Sequence, residues 1–99
     1  MTSLDYTYTP DVVYPPGDTL RELLDARGMA QKELSNRLDM SQKTVSQLLN
    51  GKAPLSQDTA LKLERVLGVD ASFWNNLEAR YREWCTKKQE EEELAKHRS

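Results

Sequence analysis

Apolar residues recur along the chain at three- and four-residue steps, and the most regular stretch lies in its middle third. Between residues 31 and 49 the apolar positions are Leu34, Leu38, Met40, Val45, Leu48 and Leu49. Spacing of this kind is typical of amphipathic α-helices. It predicts a helix over residues 31–38 that ends in a turn at Asp39 and Met40. A second short helix then begins after Ser41, a good capping residue, and runs to about residue 50.

Two more helices are predicted before and after this pair. Asp18 and Thr19 are candidate caps for an earlier helix, and Gly28 ends it because glycine readily adopts the left-handed conformation found after helix C-termini. The later helix covers residues 57–67, and its spacing places Leu61 among the inward residues. Both helices therefore present one apolar face to a shared core.

A fifth helix is predicted after Asp70, where aromatic residues recur at three- or four-residue steps. We expect Phe73 to complete the core. The other aromatic residues exceed what so small a domain needs, and we assign Trp74, Tyr81 and Trp84 to a homodimer interface because aromatic residues anchor such surfaces. The alternative is that Phe73 and Trp74 both belong to the core. The predicted fold class is all-α, with five short helices around one core.

The two ends of the chain differ from this domain in composition. Residues 1–15 contain three tyrosines among threonines and prolines, and we expect an extended or disordered arm, or one that orders on a partner. Residues 86–99 hold four consecutive glutamates between basic flanks and either prolong the last helix or fray. We therefore expect three segments: an N-terminal arm (1–15), a helical domain (16–85) and a charged tail (86–99).

Composition excludes several classes of protein. The chain has 99 residues, of which 37% are apolar, and this is enough for one domain with a modest core. No apolar run approaches the roughly 18 residues of a membrane span, and the N-terminus lacks the layout of a signal peptide. A single cysteine, Cys85, allows no intrachain disulfide, so we expect a cytoplasmic protein. Motifs for catalysis, a metal or a cofactor are missing, so we expect neither an enzyme nor a metalloprotein.

The polar residues of the second short helix suit a DNA major groove. An ordinary surface helix would favour Glu, Lys and Arg at such positions. Here the polar side chains are of short or medium length, and they are Gln42, Lys43, Thr44, Ser46 and Gln47. Glutamine pairs with adenine through two hydrogen bonds, lysine donates to guanine, and threonine contacts the thymine methyl group. We predict that these five side chains contact bases. The alternative is that they form a solvated helix face.

A second set of residues is predicted to contact the DNA backbone, and it consists of Gln31, Arg37, Ser41, Asn50, Gly51 and Lys52. Gln31 begins a helix whose free amide groups attract a phosphate. Ser41 is expected to act mainly as a helix cap, and Arg37 is balanced between a phosphate contact and a surface charge. Although the net charge is −2, residues 31–65 carry six positive and four negative side chains. This mild bias predicts binding that depends on dimerisation and weakens with salt.

At these residues the chain resembles the phage-repressor-like helix-turn-helix family. Residues 41–52 match its pattern Ser-Gln-x-x-Val-Ser-x-Leu-x-Asn-Gly-Lys. A narrower resemblance, to HigA-type antitoxins, covers about residues 15–84 through the strings PPGDTLRELL, PLSQDTALKLERVLG and FWNNLEARY. The resemblance implies a homodimer that binds its own promoter, a palindromic double-stranded operator, and neutralises a HigB-type ribonuclease toxin. This sequence departs from the family pattern at Ala30, where a capping residue is usual.

Other functions remain open at the level of the sequence. One is a phage or stress regulator that has no toxin partner. The same block also resembles the N-terminal module of longer regulators that continue into a zinc metallopeptidase-like domain, although this chain has no HExxH motif. A function of another class is that of a helical adaptor which binds proteins and not DNA.

Overall fold

Five α-helices, which we number in chain order, form the domain. The computed structural model describes the main chain of residues 13–98 and the side chains of residues 13–96. The helices are α1 (Pro16–Arg27), α2 (Gln31–Leu38), α3 (Gln42–Leu49), α4 (Gln57–Leu67) and α5 (Ala71–Arg98). No strand occurs in this part of the chain, which confirms the predicted all-α, five-helix fold. Residues 1–12 of the predicted N-terminal arm lie outside the described residues.

One core joins all five helices. Its members are at most 4% exposed: Leu20, Leu24, Leu34, Leu38, Val45, Leu48, Leu49, Leu55, Ala60, Leu63, Leu67 and Trp74. Helix α2 packs on α3 and α4, while α1 packs on α3 and α5, and α4 packs on α5. Every helix therefore has at least one partner, and α3 is supported from two sides by α1 and α2. No helix within residues 13–98 has both the length and the apolarity needed to cross a membrane.

Helix α1 begins earlier than predicted. Pro15 occupies the N-cap position without a side-chain cap, and Pro16 is the first helical residue. Asp18 therefore lies inside the first turn, where its amide donates to the carbonyl of Pro15 over 3.0 Å. Proline is favoured at the first helical position because its fixed φ suits the helix and its missing N–H would have no partner there. The prediction that Asp18 and Thr19 cap α1 is wrong for this reason.

The rotation of α5 also differs from the prediction. Trp74 is fully buried in the core, whereas Phe73 is 42% exposed and packs edge-on against the Trp74 ring, with centroids 5.2 Å apart. Trp74 therefore has no surface to offer a second protomer, which corrects its assignment to a dimer interface. The expectation that Phe73 completes the core is also wrong. Neighbouring residues on a helix lie about 100° apart, so the burial of one turns the other toward the surface.

One further difference concerns α4, and the C-terminal segment follows one of its two predictions. Leu61 was predicted to face inward but is 46% exposed, because the buried stripe of α4 runs through Ala60, Leu63 and Leu67. Residues 86–98 continue α5 as one uninterrupted helix. Of the two predictions for the charged segment, the structure therefore confirms that it prolongs the last helix.

Candidate nucleic-acid interface

Helices α2 and α3 meet at a tight turn that places their N-termini side by side. Asp39 adopts a left-handed conformation at φ 57°, and the amide of Met40 donates to the carbonyl of Ser35 over 3.0 Å. Across the turn, Nε2 of Gln31 donates to the main-chain carbonyl of Gln42 over 3.4 Å. The first residues of the two helices are thus in contact. Buried Val45 and Leu48 fix α3 to the core from its other side.

The five residues predicted to contact bases all lie on α3, but their surroundings differ. Gln42, Lys43 and Gln47 are exposed and have side chains available to a ligand. Thr44 is half-buried, and its hydroxyl lies 2.8 Å from that of Ser41. Ser46 is half-buried and its hydroxyl accepts a hydrogen bond from Nδ2 of Asn50 over 3.4 Å. The structure therefore brings the set together on one helix and engages two members in bonds within the protein.

The residue before each of these helices decides which amides are free. Ser41 caps α3, since its hydroxyl accepts from the amide of Thr44 over 3.1 Å, and this confirms its predicted role as a cap. Ala30 holds the same position before α2 with nearly the same backbone conformation, φ −75° and ψ 154°, but offers no side-chain acceptor. The first-turn amides of α2 consequently lack a cap within the protein. Such an N-terminus is suited to bind an anion.

Arg37, for which the sequence left a phosphate contact and a surface charge open, forms an ion pair on the surface of α2. Its Nη2 lies 2.8 Å from Oε2 of Glu33 one turn earlier, and both side chains are about half exposed. An exposed pair of this kind contributes at most about 1 kcal/mol to stability. The structure therefore places Arg37 as a surface ion pair, and any anion must compete with Glu33 for it.

The loop after α3 uses its amides internally. The amide of Asn50 donates to Ser46 over 3.0 Å, that of Gly51 to Leu48 over 3.3 Å, and that of Lys52 to Gln47 over 2.8 Å, in each case to the main-chain carbonyl. These three amides are therefore not left for a phosphate. Its exposed side chains, Asn50 and Lys52, remain as the groups that can bind one.

One residue at this loop was missed by the sequence analysis. Nη2 of Arg21, on α1, donates to Oδ1 of Asn50 over 2.9 Å. The two residues are 29 positions apart, and no local pattern connects them. Only the packing of α1 against α3 brings this guanidinium to the end of α3.

The aromatic residues predicted at the dimer interface are separated by the structure. Tyr81 and Trp84 are half-buried on α5 and stack with ring centroids 6.3 Å apart. The guanidinium of Arg82 lies over the Tyr81 ring and the ammonium of Lys88 over the Trp84 ring. A hydrogen bond with the Cys85 thiol raises the pKa of the Tyr81 hydroxyl. These two aromatic residues form one patch on α5, whereas Trp74 lies in the core.

The remaining chemistry of the surface is limited. Within the described residues no group of three or more His, Cys, Asp or Glu side chains is arranged to hold a metal ion. The arrangement that stands out is the exposed polar side of α3 beside the uncapped N-terminus of α2.

Two comparisons decide the family. A family model described as helix-turn-helix matches residues 20–74, from the first half of α1 into the start of α5. Antitoxin HigA-1 of Vibrio cholerae is 33% identical over 78 residues, which cover 78% of this chain and 73% of that protein. The chain belongs to the HigA-type antitoxins of the helix-turn-helix family. Within the matched range, α2, its turn and α3 are the helix-turn-helix itself.

Other similar proteins of this family include regulators and a structure with DNA. The uncharacterized HTH-type transcriptional regulator YddM of Escherichia coli K12 is 36% identical over 63 residues, which cover 64% of this chain and 67% of that protein. The Pseudomonas aeruginosa antitoxin HigA, solved with the higBA promoter, superposes with a TM-score of 0.78 at 26% identity. That match covers 84% of this chain and 91% of the Pseudomonas chain.

Proposed function

We propose that this HigA-type antitoxin is a dimeric transcriptional repressor that binds the DNA upstream of its own gene and neutralises a HigB-type ribonuclease toxin. The observation that carries the proposal is the exposed polar side of α3 beside the uncapped N-terminus of α2. A similar HigA from Pseudomonas aeruginosa was solved with promoter DNA, which supports the same use of the fold here. The protein acts in the cytoplasm, where both partners are available.

The base contacts come from α3. Gln42, Lys43 and Gln47 are exposed, and their side chains suit adenine or guanine edges in the major groove. Thr44 and Ser46 contribute less to base recognition, since their hydroxyls already take part in hydrogen bonds within the protein. The specificity of binding therefore rests mainly on the first three.

The phosphate contacts come from both sides of α3. On one side, Gln31 and the uncapped amides of α2 face the backbone of one strand. On the other side, Lys52 binds through its side chain, because the amides of its loop are already bonded. Asn50 has a smaller role there, since only the N–H of its side-chain amide that is not donated to Ser46 remains for a phosphate. Gly51 serves by its positive φ of 73°, which lets the chain turn there. Ser41 and Arg37 have smaller roles, because Ser41 caps α3 and Arg37 is paired with Glu33.

Two protomers associate through the aromatic patch of Tyr81 and Trp84 on α5. Such a contact between identical surfaces generates two-fold symmetry, which matches a palindromic operator. The two copies of α3 then occupy successive major grooves, about 34 Å apart. Because the local positive charge is modest, each protomer alone binds weakly and the dimer is the functional unit.

The proposal of a toxin partner rests on the sequence similarity to the antitoxin HigA-1 of Vibrio cholerae. A regulator without a toxin is the second candidate, because the chain is also similar to YddM, an HTH-type transcriptional regulator. Co-expression with the protein encoded next to this gene discriminates the two. If the neighbouring protein arrests growth and a stable complex with this chain relieves the arrest, the antitoxin function is supported. If there is neither a complex nor growth arrest, the regulator without a toxin is favoured.

DNase I footprinting on the DNA upstream of the gene tests the repressor. The expected result is protection of two half-sites one helical turn apart, because a two-fold dimer presents two copies of α3. Protection should disappear when Lys43 and Gln47 are replaced by alanine and persist when Gln57, an exposed glutamine at the start of α4, is replaced. Unprotected upstream DNA at all protein concentrations would overturn the proposal.

A further inference from the structure

Arg21 is the one cation of α1 that contacts the turn after α3. Its Nη2 donates to Oδ1 of Asn50 over 2.9 Å, and the Nδ2 group of Asn50 donates in turn to Ser46 over 3.4 Å. These three residues form a chain of hydrogen bonds from α1 to the helix that carries the base contacts. The guanidinium therefore lies at the C-terminal end of α3, beside the loop that holds Lys52.

The packing of α1 fixes this position. Gly17 lies one turn before Arg21 and rests directly on the end of α3. A Cβ atom on Gly17 would lie 2.4 Å from the carbonyl oxygens of both Leu48 and Leu49. Since α1 touches the backbone of α3 there, the residue one turn later is held next to Asn50 by the helix itself.

The guanidinium is also available to a ligand. Arg21 is exposed, and within residues 13–96 it makes no ion pair, whereas Arg37, Lys62 and Arg82 each pair with a carboxylate one turn away. Of its five N–H groups, the bond to Asn50 uses one. A planar guanidinium with free donors is the side chain best suited to bind a phosphate through two hydrogen bonds.

The loop itself cannot provide those donors. The amides of Asn50, Gly51 and Lys52 all donate to carbonyls of α3, so a phosphate at this end of α3 must be bound by side chains. We propose that Arg21 is a DNA phosphate contact, held in place by Asn50, which adds α1 to the DNA-binding surface. This inference rests on the proposed function in that it takes duplex DNA as the ligand.

Salt dependence of binding tests the inference directly. Fluorescence anisotropy titrations between 50 and 200 mM salt are run on the upstream duplex and on a shuffled duplex of the same composition. The proteins are the wild type, Arg21→Met, Arg21→Lys and, as a matched control, Arg80→Met, because Arg80 is exposed on α5. A thermal unfolding curve for each variant checks that it is folded.

Arg21→Met should weaken binding to both duplexes by at least about tenfold, since a charge-assisted bond is lost in each protomer. Its slope of log K against log salt should fall by about 1.8 for the dimer, because each phosphate contact contributes about 0.9. Arg21→Lys should keep the slope of the wild type but lose several-fold affinity, since lysine lacks the fork that Asn50 orients. Arg80→Met should behave as the wild type.

Several results would overturn the inference. A folded Arg21→Met variant with the slope of the wild type would exclude a phosphate contact. An equal fall in the salt slope of Arg80→Met would show an effect of net charge alone. Full affinity for DNA in Arg21→Lys would show that Asn50 has no role in orienting the side chain. If the wild type binds both duplexes equally, the repressor proposal fails, but the slopes of log K against log salt still test the phosphate contact of Arg21. If the wild type binds neither duplex, both proposals fail.

Discussion

The side-chain amide of Gln31 donates to the main-chain carbonyl of Gln42, which joins the first residue of α2 to the first residue of α3. At 3.4 Å and at the surface, this bond contributes little to the free energy of unfolding. Its effect is geometric, because it holds the side chain that we propose to contact a phosphate beside one that we propose to contact bases. Backbone contacts of this kind set the register in which a helix meets the groove.

Replacement of Gln31 by alanine should therefore affect binding more than stability. We expect affinity for the upstream DNA to fall by about 1 kcal/mol or more per protomer, with the melting temperature nearly unchanged. Anisotropy titration and thermal unfolding measure the two quantities. Gln57→Ala is the matched control, since Gln57 is the exposed first residue of α4. Equal losses of affinity in the two variants would contradict the role given to Gln31.

Ala30→Ser should stabilise the protein and weaken its binding to DNA. The backbone at Ala30 nearly matches that at Ser41, which caps α3, so a serine there can cap α2 in the same way. The expected gain is about 0.5–1 kcal/mol in the free energy of unfolding. The new hydroxyl would occupy an amide that we assign to a phosphate. Urea unfolding and DNA titration measure both effects, and a stabilised variant with unchanged DNA affinity would show that these amides do not contact DNA.

Gly17→Ala should destabilise the fold strongly. The added methyl group would lie 2.4 Å from two backbone oxygens of α3, and no side chain can move to relieve that contact. We expect a loss of at least about 2 kcal/mol from overpacking. Gly28→Ala is the comparison, because Gly28 has φ 65° with open space around it and should lose only about 1 kcal/mol. Equal losses in urea unfolding would show that α1 does not need its close approach to α3.

The double variant Tyr81→Glu, Trp84→Glu should be monomeric. Four introduced charges would face one another across the two-fold axis if the aromatic patch is the dimer interface, and aromatic anchors would be lost. Sedimentation velocity measures the mass, and DNA affinity should fall with it. Leu61→Glu is the control, since Leu61 is an exposed leucine on α4. A double variant that remains dimeric would place the interface elsewhere.

Where the sequence pattern was unambiguous, it predicted the structure well. The helix-turn-helix bounds and the cap at Ser41 followed from a regular apolar spacing and a good capping residue. The start of α1 was misplaced because Asp18 and Thr19 were given the role of cap, although proline is favoured at the first helical position and Pro16 holds it. Local signals compete at such a point, and the sequence alone does not rank them.

Contacts between distant segments were beyond the sequence analysis. Phe73 and Trp74 both fit the helical spacing with Leu77, so only the shape of the core decides which of them is buried. The bond between Arg21 and Asn50 depends on the crossing of α1 and α3, which no local pattern encodes. The internal bonds of the loop at Gly51 likewise appear only once the backbone is built.

Lys43 and Gln47 should be two of the three main determinants of sequence preference. Each alanine replacement should cost about 1–3 kcal/mol on the upstream duplex and much less on shuffled DNA, because a base contact discriminates between sequences and a phosphate contact does not. Competition titrations with both duplexes measure the ratio. Lys32→Ala, at an exposed position of α2, serves as the control for the loss of a positive charge. A fall that is equal on both duplexes would show that these side chains contact only the backbone.

The most direct test of DNA recognition is an anisotropy titration of the unmodified protein against its own upstream duplex and the shuffled one, at 50 and 200 mM salt. We predict tighter binding to the upstream duplex at both salt concentrations, with affinity that falls steeply between them. Equal binding to the two duplexes at 50 mM salt would contradict the account, and a protein-binding adaptor would then be the better description of this antitoxin fold.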